Sequence, residues 1–238
     1  MLQPIAIGSL PQKDIKSAMG IVKKDFSEIP FLPQLVKISK NEGMIFQILE
    51  GMPSFCFEDY EKITLQEEVD LLQKYKLGEK SSCAFLSFLE IIKNDKPEYA
   101  KIQIVGPYTI ANSLHYLSGD DFVHEIGQDF IIKFICLKIL WQLKEIKLVS
   151  PETIPIVFID EPGLNIKMPK TKIDNKQKFS VVEMLFEICT FIRTNGALCG
   201  IHCCAEPDWE IFFDVNPDII SFGAYSYFTG FAKHLKEI

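Results

Sequence analysis

Two apolar runs that each stop at reactive side chains are the features that most constrain the fold. The first run covers residues 154–162 and the second covers 197–204, and they end in Asp160-Glu161-Pro162 and His202-Cys203-Cys204. Short apolar runs of this length are typical of strands buried in a parallel sheet. Because α/β proteins place their sites at the carboxyl ends of such strands, these side chains indicate a site there.

Strand-like and helix-like segments alternate along the chain, which favours a parallel sheet. The six predicted strands cover residues 5–11, 29–36, 101–107, 154–159, 197–204 and 218–223. Helices are predicted over 15–26, 41–50, 64–77, 81–93, 120–149, 181–194 and 208–214, with a mobile loop over 163–180. A complete (β/α)8 barrel has eight strands in about 250 residues. We therefore predict one barrel-type α/β domain over residues 1–238, with about six of the eight units.

Two alternatives remain for the strand count. Either the chain has about two units fewer than a complete barrel, or further strands lie in residues 51–60 and 225–238. At the end of the third strand, Gly106-Pro107 precedes a short helix that Thr109 is predicted to cap.

Charge and composition exclude several classes of protein. The 238 residues carry a formal charge of −7 without a basic run, which argues against a nucleic-acid partner. The longest apolar stretch, residues 130–149, contains five charged side chains, so no membrane span is predicted. The first residues lack the pattern of a secretion signal, and the seven cysteines are scattered. Reduced thiols in the cytoplasm are therefore expected.

His202 and Cys204 are candidate metal ligands. They alternate along a strand and project to one face, whereas Cys203 projects to the other. An imidazole and a thiolate on one face are half of a tetrahedral zinc site. The alternative is a buried histidine among small apolar thiols, because free cysteine is often buried.

Asp160 is the carboxylate predicted to continue the inward face of its strand, where it could bind an ammonium group or act as a general base. The alternative is a residue that caps a helix or orders a loop. Glu161 is a second candidate for substrate binding. Gly8 and Ser9 end the first strand in a turn that could bind a carboxylate, or could be a plain strand-to-helix turn. Gln103, inside a strand, needs partners from the protein or from a ligand.

Four short motifs occur in an order that resembles one family. They are Ile7-Gly8-Ser9-Leu10-Pro11-Gln12, Gly106-Pro107-Tyr108-Thr109, Ile159-Asp160-Glu161-Pro162 and His202-Cys203-Cys204. Together they are similar to the catalytic barrel of cobalamin-independent methionine synthase and to shorter methyltransferase-like proteins. Uroporphyrinogen decarboxylase belongs to the same superfamily. The resemblance runs from the first residues to about Tyr227.

The resemblance implies a (β/α)8 barrel that holds zinc at its C-terminal mouth. In the synthase this zinc binds homocysteine as a thiolate, which then attacks the methyl group of a folate. By this resemblance, His202 and Cys204 match the zinc pair and Asp160 matches the aspartate that binds the substrate amino group. Gly8 and Ser9 match the turn that binds its carboxylate.

Several departures from the family pattern change the expected reaction. Gly223 stands where the family has a glutamate ligand, and the family's last cysteine ligand would come after Ile238. Val36-Lys37-Ile38-Ser39 stands where a substrate-binding glutamate is expected. The N-terminal barrel needed for folate is also absent from the sequence. Methionine synthesis from a folate is therefore not expected.

Three hypotheses follow from these residues. The first is zinc-dependent methyl transfer to a small thiol such as homocysteine, from a methylated small molecule or a corrinoid protein, with Asp160 and His202 at the reaction centre. The second is a truncated barrel without activity that binds a ligand or partner and covers its open sheet edges by self-association. The third is decarboxylation of a tetrapyrrole, which is disfavoured because Arg193 is the single arginine in the chain.

Overall fold

The structure is a computed structural model that describes residues 3–51, 76–118, 128–165 and 175–234. Several predictions fall outside these ranges: residues 64–75 of the helix over 64–77, almost all of 51–60, the start of the long helix at Asp120, and residues 166–174 of the mobile loop.

The described residues form a mixed α/β fold with a four-stranded parallel sheet flanked by helices. The strands are β1 (Tyr99–Val105), β2 (Ile154–Asp160), β3 (Leu198–Cys203) and β4 (Ile219–Phe222). The α-helices are α1 (Ile15–Asp25), α2 (Met44–Leu49), α3 (Phe85–Asp95), α4 (Pro107–Ser118), α5 (Gln128–Val149), α6 (Asn175–Thr194), α7 (Trp209–Val215) and α8 (Ala224–Ala232). Short 3₁₀ helices cover Lys40–Glu42 and Pro162–Leu164.

The strands lie side by side in chain order, β1-β2-β3-β4. Two N-terminal segments continue the parallel pairing beyond β1, through isolated bridges between Phe31 and Lys101 and between Ser9 and Gln34. The backbone of Lys101 donates to the Pro30 carbonyl at 2.8 Å and accepts from the Leu32 amide at 2.9 Å. This order of parallel segments is compatible with part of an α/β barrel.

The two faces of the sheet bury different sets of side chains. On β2, Val157 and Ile159 belong to the large apolar core that includes the helices. Ile156 and Phe158 belong to a smaller apolar cluster. Residues alternate between the faces of a strand, so the smaller cluster lies on the face away from the large core. We refer to this second face as the inner face.

Local sequence signals explain several helix ends. The Asp14 carboxylate accepts from the Ser17 amide at 2.7 Å, and α1 begins at Ile15 as predicted. Asp208 caps α7 in the same way. Gly196 follows the end of α6 with φ +74°, a conformation in which glycine ends helices readily.

Three predicted boundaries are wrong. The helix predicted over 81–93 begins at Phe85, after a series of turns. Residues 175–180, predicted to be part of a mobile loop, are the first residues of α6. The alternative of a strand within 225–238 is also wrong for 225–232, which lie in α8. Among the described residues, no helix combines the length and apolar character that a membrane crossing requires.

Candidate functional site

A row of polar side chains crosses the inner face at the carboxyl ends of the strands. The register pairs Val105 with Asp160, Asp160 with His202, and His202 with Ser221. Because paired residues of a parallel sheet project to the same face, Asp160, His202 and Ser221 lie side by side on β2, β3 and β4. The two apolar runs of the sequence thus bring Asp160 and His202 together, as the motifs predicted.

Asp160 is a buried carboxylate with one free oxygen. The residue is 3% exposed, and Oδ1 has no hydrogen-bond partner among the described residues. Burial raises the pKa of Asp160, while the positive charge of Lys101 acts in the opposite direction. A buried carboxylate oxygen without a partner costs free energy, so this atom is a natural acceptor for a ligand.

His202 is a buried imidazole held in one orientation. Its Nδ1 lies 2.9 Å from the Ser221 hydroxyl, which leaves Nε2 as the ring nitrogen for another partner. Burial and the nearby charge of Lys101 lower the pKa of His202 to about 4. The ring is therefore neutral near pH 7, as a metal-binding imidazole or a general base must be.

The two cysteines after His202 differ in burial, and β3 ends at the first of them. Cys203 is fully buried in the large core on the helix side, and burial raises the pKa of its thiol to about 12. Cys204 is exposed. Within the described ranges, no three or more histidine, cysteine, aspartate or glutamate side chains are grouped to hold a metal. His202 and Cys204 would be two of the three or four protein ligands that zinc usually takes, and zinc binding stays a prediction.

Glu161 caps a helix within the protein. It is fully buried, and its Oε1 accepts from the Tyr108 amide at 2.9 Å. Its Oε2 accepts from the Thr109 amide at 2.9 Å and from the Thr109 hydroxyl at 2.5 Å. These amides form the N-terminus of α4, which Thr109 was predicted to cap alone. Both carboxylate oxygens are occupied by the protein, so the structure gives Glu161 a role in joining β2 to α4.

The Gly8 turn packs directly against Gln103. Gly8 has φ +140°, and a Cβ at this position would lie 2.7 Å from the Gln103 side chain. The Gln103 amide group donates to the Leu32 carbonyl at 2.8 Å and accepts from Lys101 Nζ at 2.8 Å. Gln103 is thus satisfied by the protein itself. Ser9 is exposed beside this turn.

Sequence reasoning missed Lys101 and Ser221. Lys101 is fully buried, and its ammonium lies 4.7 Å from the centre of the Phe158 ring. A signal was present, because Lys101 and Gln103 are polar residues two positions apart in a run that is otherwise apolar. Such alternation places both on one strand face. Ser221 gave no comparable signal, since a serine within a strand is common.

The chain was compared with protein-family models, with curated proteins and with solved structures. None of the three comparisons gives a match. The function is therefore inferred from the residues of the site and from the motifs that resemble the methionine synthase family.

Proposed function

We propose that this protein is a methyltransferase-like (β/α)8-type barrel that transfers a methyl group to a small thiol with an amino-acid head, such as homocysteine. The supporting observation is the unpartnered, buried Oδ1 of Asp160, which lies in register with the neutral imidazole of His202. A buried carboxylate without a hydrogen-bond partner, next to a neutral imidazole, suits a ligand that carries both an ammonium group and a nucleophile.

Each binding residue has a distinct role in this proposal. Asp160 accepts hydrogen bonds from the ligand's ammonium group, and the Gly8-Ser9 turn binds the ligand's carboxylate. Ser221 holds the His202 ring through Nδ1 at 2.9 Å, so that Nε2 faces the bound thiol or its metal. Glu161 and Gln103 act indirectly, because their polar atoms are bonded to the α4 amides, Leu32 and Lys101. The methyl donor in this proposal is a methylated small molecule or a corrinoid protein.

Zinc is part of the proposal with an incomplete ligand set. When bound, zinc would lower the pKa of the substrate thiol and keep its sulfur nucleophilic. His202 and Cys204 would contribute two ligands, and the described residues do not complete the set. At Gly223, where the family has a glutamate, a Cβ would lie 3.0 Å from the Cys204 carbonyl oxygen, so even a small side chain needs a local shift.

A second candidate is a barrel that binds a small zwitterion without catalysis. The incomplete set of metal ligands favours this candidate, because Asp160 and the Gly8 turn can bind a ligand without a metal. This candidate shares the binding residues of the first and differs in zinc content and in turnover.

The deciding experiment combines metal content with ligand binding. We expect about one zinc per chain in protein purified without chelator, and its loss in Cys204→Ser but not in the control Cys136→Ser, a buried thiol of α5. We expect calorimetric binding of homocysteine to weaken at least about tenfold in Asp160→Asn, since a charged hydrogen bond is lost. Binding without zinc would select the non-catalytic candidate. No binding by the wild type would contradict both.

A further inference from the structure

Lys101 is a fully buried cation below the polar row, and it contacts two N-terminal segments of the sheet at once. Its ammonium donates to the Ile7 carbonyl and, at 2.8 Å, to Gln103 Oε1. The ring of Phe158 covers it at 4.7 Å from the centroid. Two acceptors and one aromatic face match the three donors of an ammonium group, so this side chain is held in a single position.

The hydrogen bonds of Lys101 determine the shape of the Gly8 turn. Because Gln103 Oε1 accepts from Lys101, the Gln103 amide nitrogen is directed to the Leu32 carbonyl, at 2.8 Å. The Gln103 side chain then fills the space where a Cβ of residue 8 would be. Lys101 also holds the carbonyl immediately before Gly8. The backbone at Gly8 is therefore fixed from both sides by one ammonium group.

We propose that Lys101 is a positioning residue for the site, which fixes the Ile7-Gly8 turn so that the turn can bind the carboxylate of a ligand. The role rests on the proposed function, because the Gly8 turn is its carboxylate-binding part. Lys101 itself is covered by Phe158 and does not reach the ligand.

Lys138 offers a matched control. It is a second buried lysine, in α5, and its ammonium donates to the Glu50 carbonyl at 2.8 Å. Lys138→Met therefore removes a buried ammonium as Lys101→Met does. The two variants differ in which backbone carbonyl loses its partner, that of Ile7 or that of Glu50.

The first readout needs no ligand. Hydrogen exchange in the Gly8 segment, reported by the Leu10 amide that donates to the Gln34 carbonyl at 3.1 Å, is expected to be about tenfold faster in Lys101→Met than in the wild type, since charged hydrogen bonds to the turn are lost. Lys138→Met is expected to leave that segment unchanged. Gln103→Leu, which keeps Lys101 but removes its acceptor, is the second variant if Lys101→Met does not fold, and it is expected to accelerate the same segment. Unchanged exchange in the folded Lys101 or Gln103 variant would overturn the positioning role.

The second readout compares homocysteine with 3-aminopropane-1-thiol, which lacks only the carboxylate that the Gly8 turn is proposed to bind. The wild type and Lys138→Met are expected to bind homocysteine at least about tenfold more tightly than the analogue. Lys101→Met is expected to bind both with similar affinity. If Lys101→Met keeps the preference, the role of Lys101 is wrong while the proposed function stands. If the wild type has no preference, the proposed function fails, and the role of Lys101 in carboxylate binding fails with it.

Discussion

Gly8 occupies a backbone position that excludes other residues for two independent reasons. Its φ of +140° is rarely adopted by residues with a side chain. The space for a Cβ is also filled, because the Gln103 amide group would lie 2.7–2.8 Å away. The glycine is thus required by the side chain of Gln103, which is 95 positions away in the sequence.

We expect Gly8→Ala to destabilise the protein by at least about 2 kcal/mol, from backbone strain and from the clash with Gln103. Gly20 is the control, because it is exposed in α1 and a Cβ there meets no atom within 4 Å. Gly20→Ala is expected to stabilise by about 0.5–1 kcal/mol, since alanine favours the helix. Urea denaturation measures both changes. Equal effects at the two positions would show that the Gly8 backbone is not constrained as described.

At the scale of elements, Glu161 joins the end of β2 to the start of α4. A short closed network forms, in which Glu161 accepts from Thr109 and the Thr109 hydroxyl accepts from the Gly163 amide at 3.0 Å. Gly106 makes room for it, because a Cβ there would lie 2.2 Å from Glu161 Oε1. The Gly-Pro-Tyr-Thr and Asp-Glu-Pro motifs are therefore two halves of one junction, which fixes the strand end that carries Asp160.

We expect Glu161→Gln to destabilise the protein by about 1–3 kcal/mol at acidic pH, because an amide nitrogen would face backbone donors. The change should also alter how the free energy of unfolding depends on pH. Burial raises the pKa of Glu161 to about 7, against the effect of its hydrogen bonds. A group whose pKa is higher in the folded state binds its proton more tightly there, so stability is greatest below the unfolded pKa and falls as pH rises through about 7.

Urea denaturation between about pH 5 and about pH 8 measures this effect. The wild type is expected to lose stability across that interval, and Glu161→Gln is expected to show a smaller loss. Asp14→Asn, an exposed helix cap whose pKa is lowered by its hydrogen bond to Ser17, serves as the control and should leave the slope over this range unchanged. If the free energy of unfolding changes equally with pH in the wild type and in Glu161→Gln, the result would contradict a raised pKa of Glu161.

At the scale of the whole molecule, β4 and α8 form the least buried side of the described sheet. β4 pairs with β3 and is the last strand in the order, and all four of its residues are only partly buried. Helix α8 buries none of its residues fully, and Tyr225 and Phe228 are exposed. An exposed apolar surface beside a sheet edge favours association.

We expect the protein to self-associate through this surface at high concentration. Replacement of Tyr225 and Phe228 together by lysine should raise the concentration for association at least about tenfold, because burial of one large apolar side chain contributes about 1.5–3 kcal/mol. Leu148→Lys is the control, since Leu148 is 78% exposed on α5, away from β4. Light scattering across a dilution series measures the mass. A monomer at all concentrations would refute the prediction.

Much of the sheet could be predicted because its signals are local. The apolar run over 154–159 lies in β2, and the run over 197–204 contains β3, which ends at Cys203. The helix boundaries at Phe85 and Asn175 were missed. Helix α3 begins after Ala84, which cannot cap a helix through its side chain. In contrast, Asp174 directly precedes α6 in the sequence, and this N-cap signal was overlooked.

The sequence by itself determined that parallel strands end in Asp160 and His202, since apolar periodicity and strand direction depend on neighbouring residues. It also made the resemblance to methionine synthase motifs visible. Only the tertiary structure decided the partners of the polar groups. Glu161 was predicted to bind a substrate and caps α4, Gln103 supports Gly8, and Lys101 lies buried beneath the site. These contacts join residues 52 to 94 positions apart, and nothing local in a chain specifies which distant donor will meet a buried acceptor.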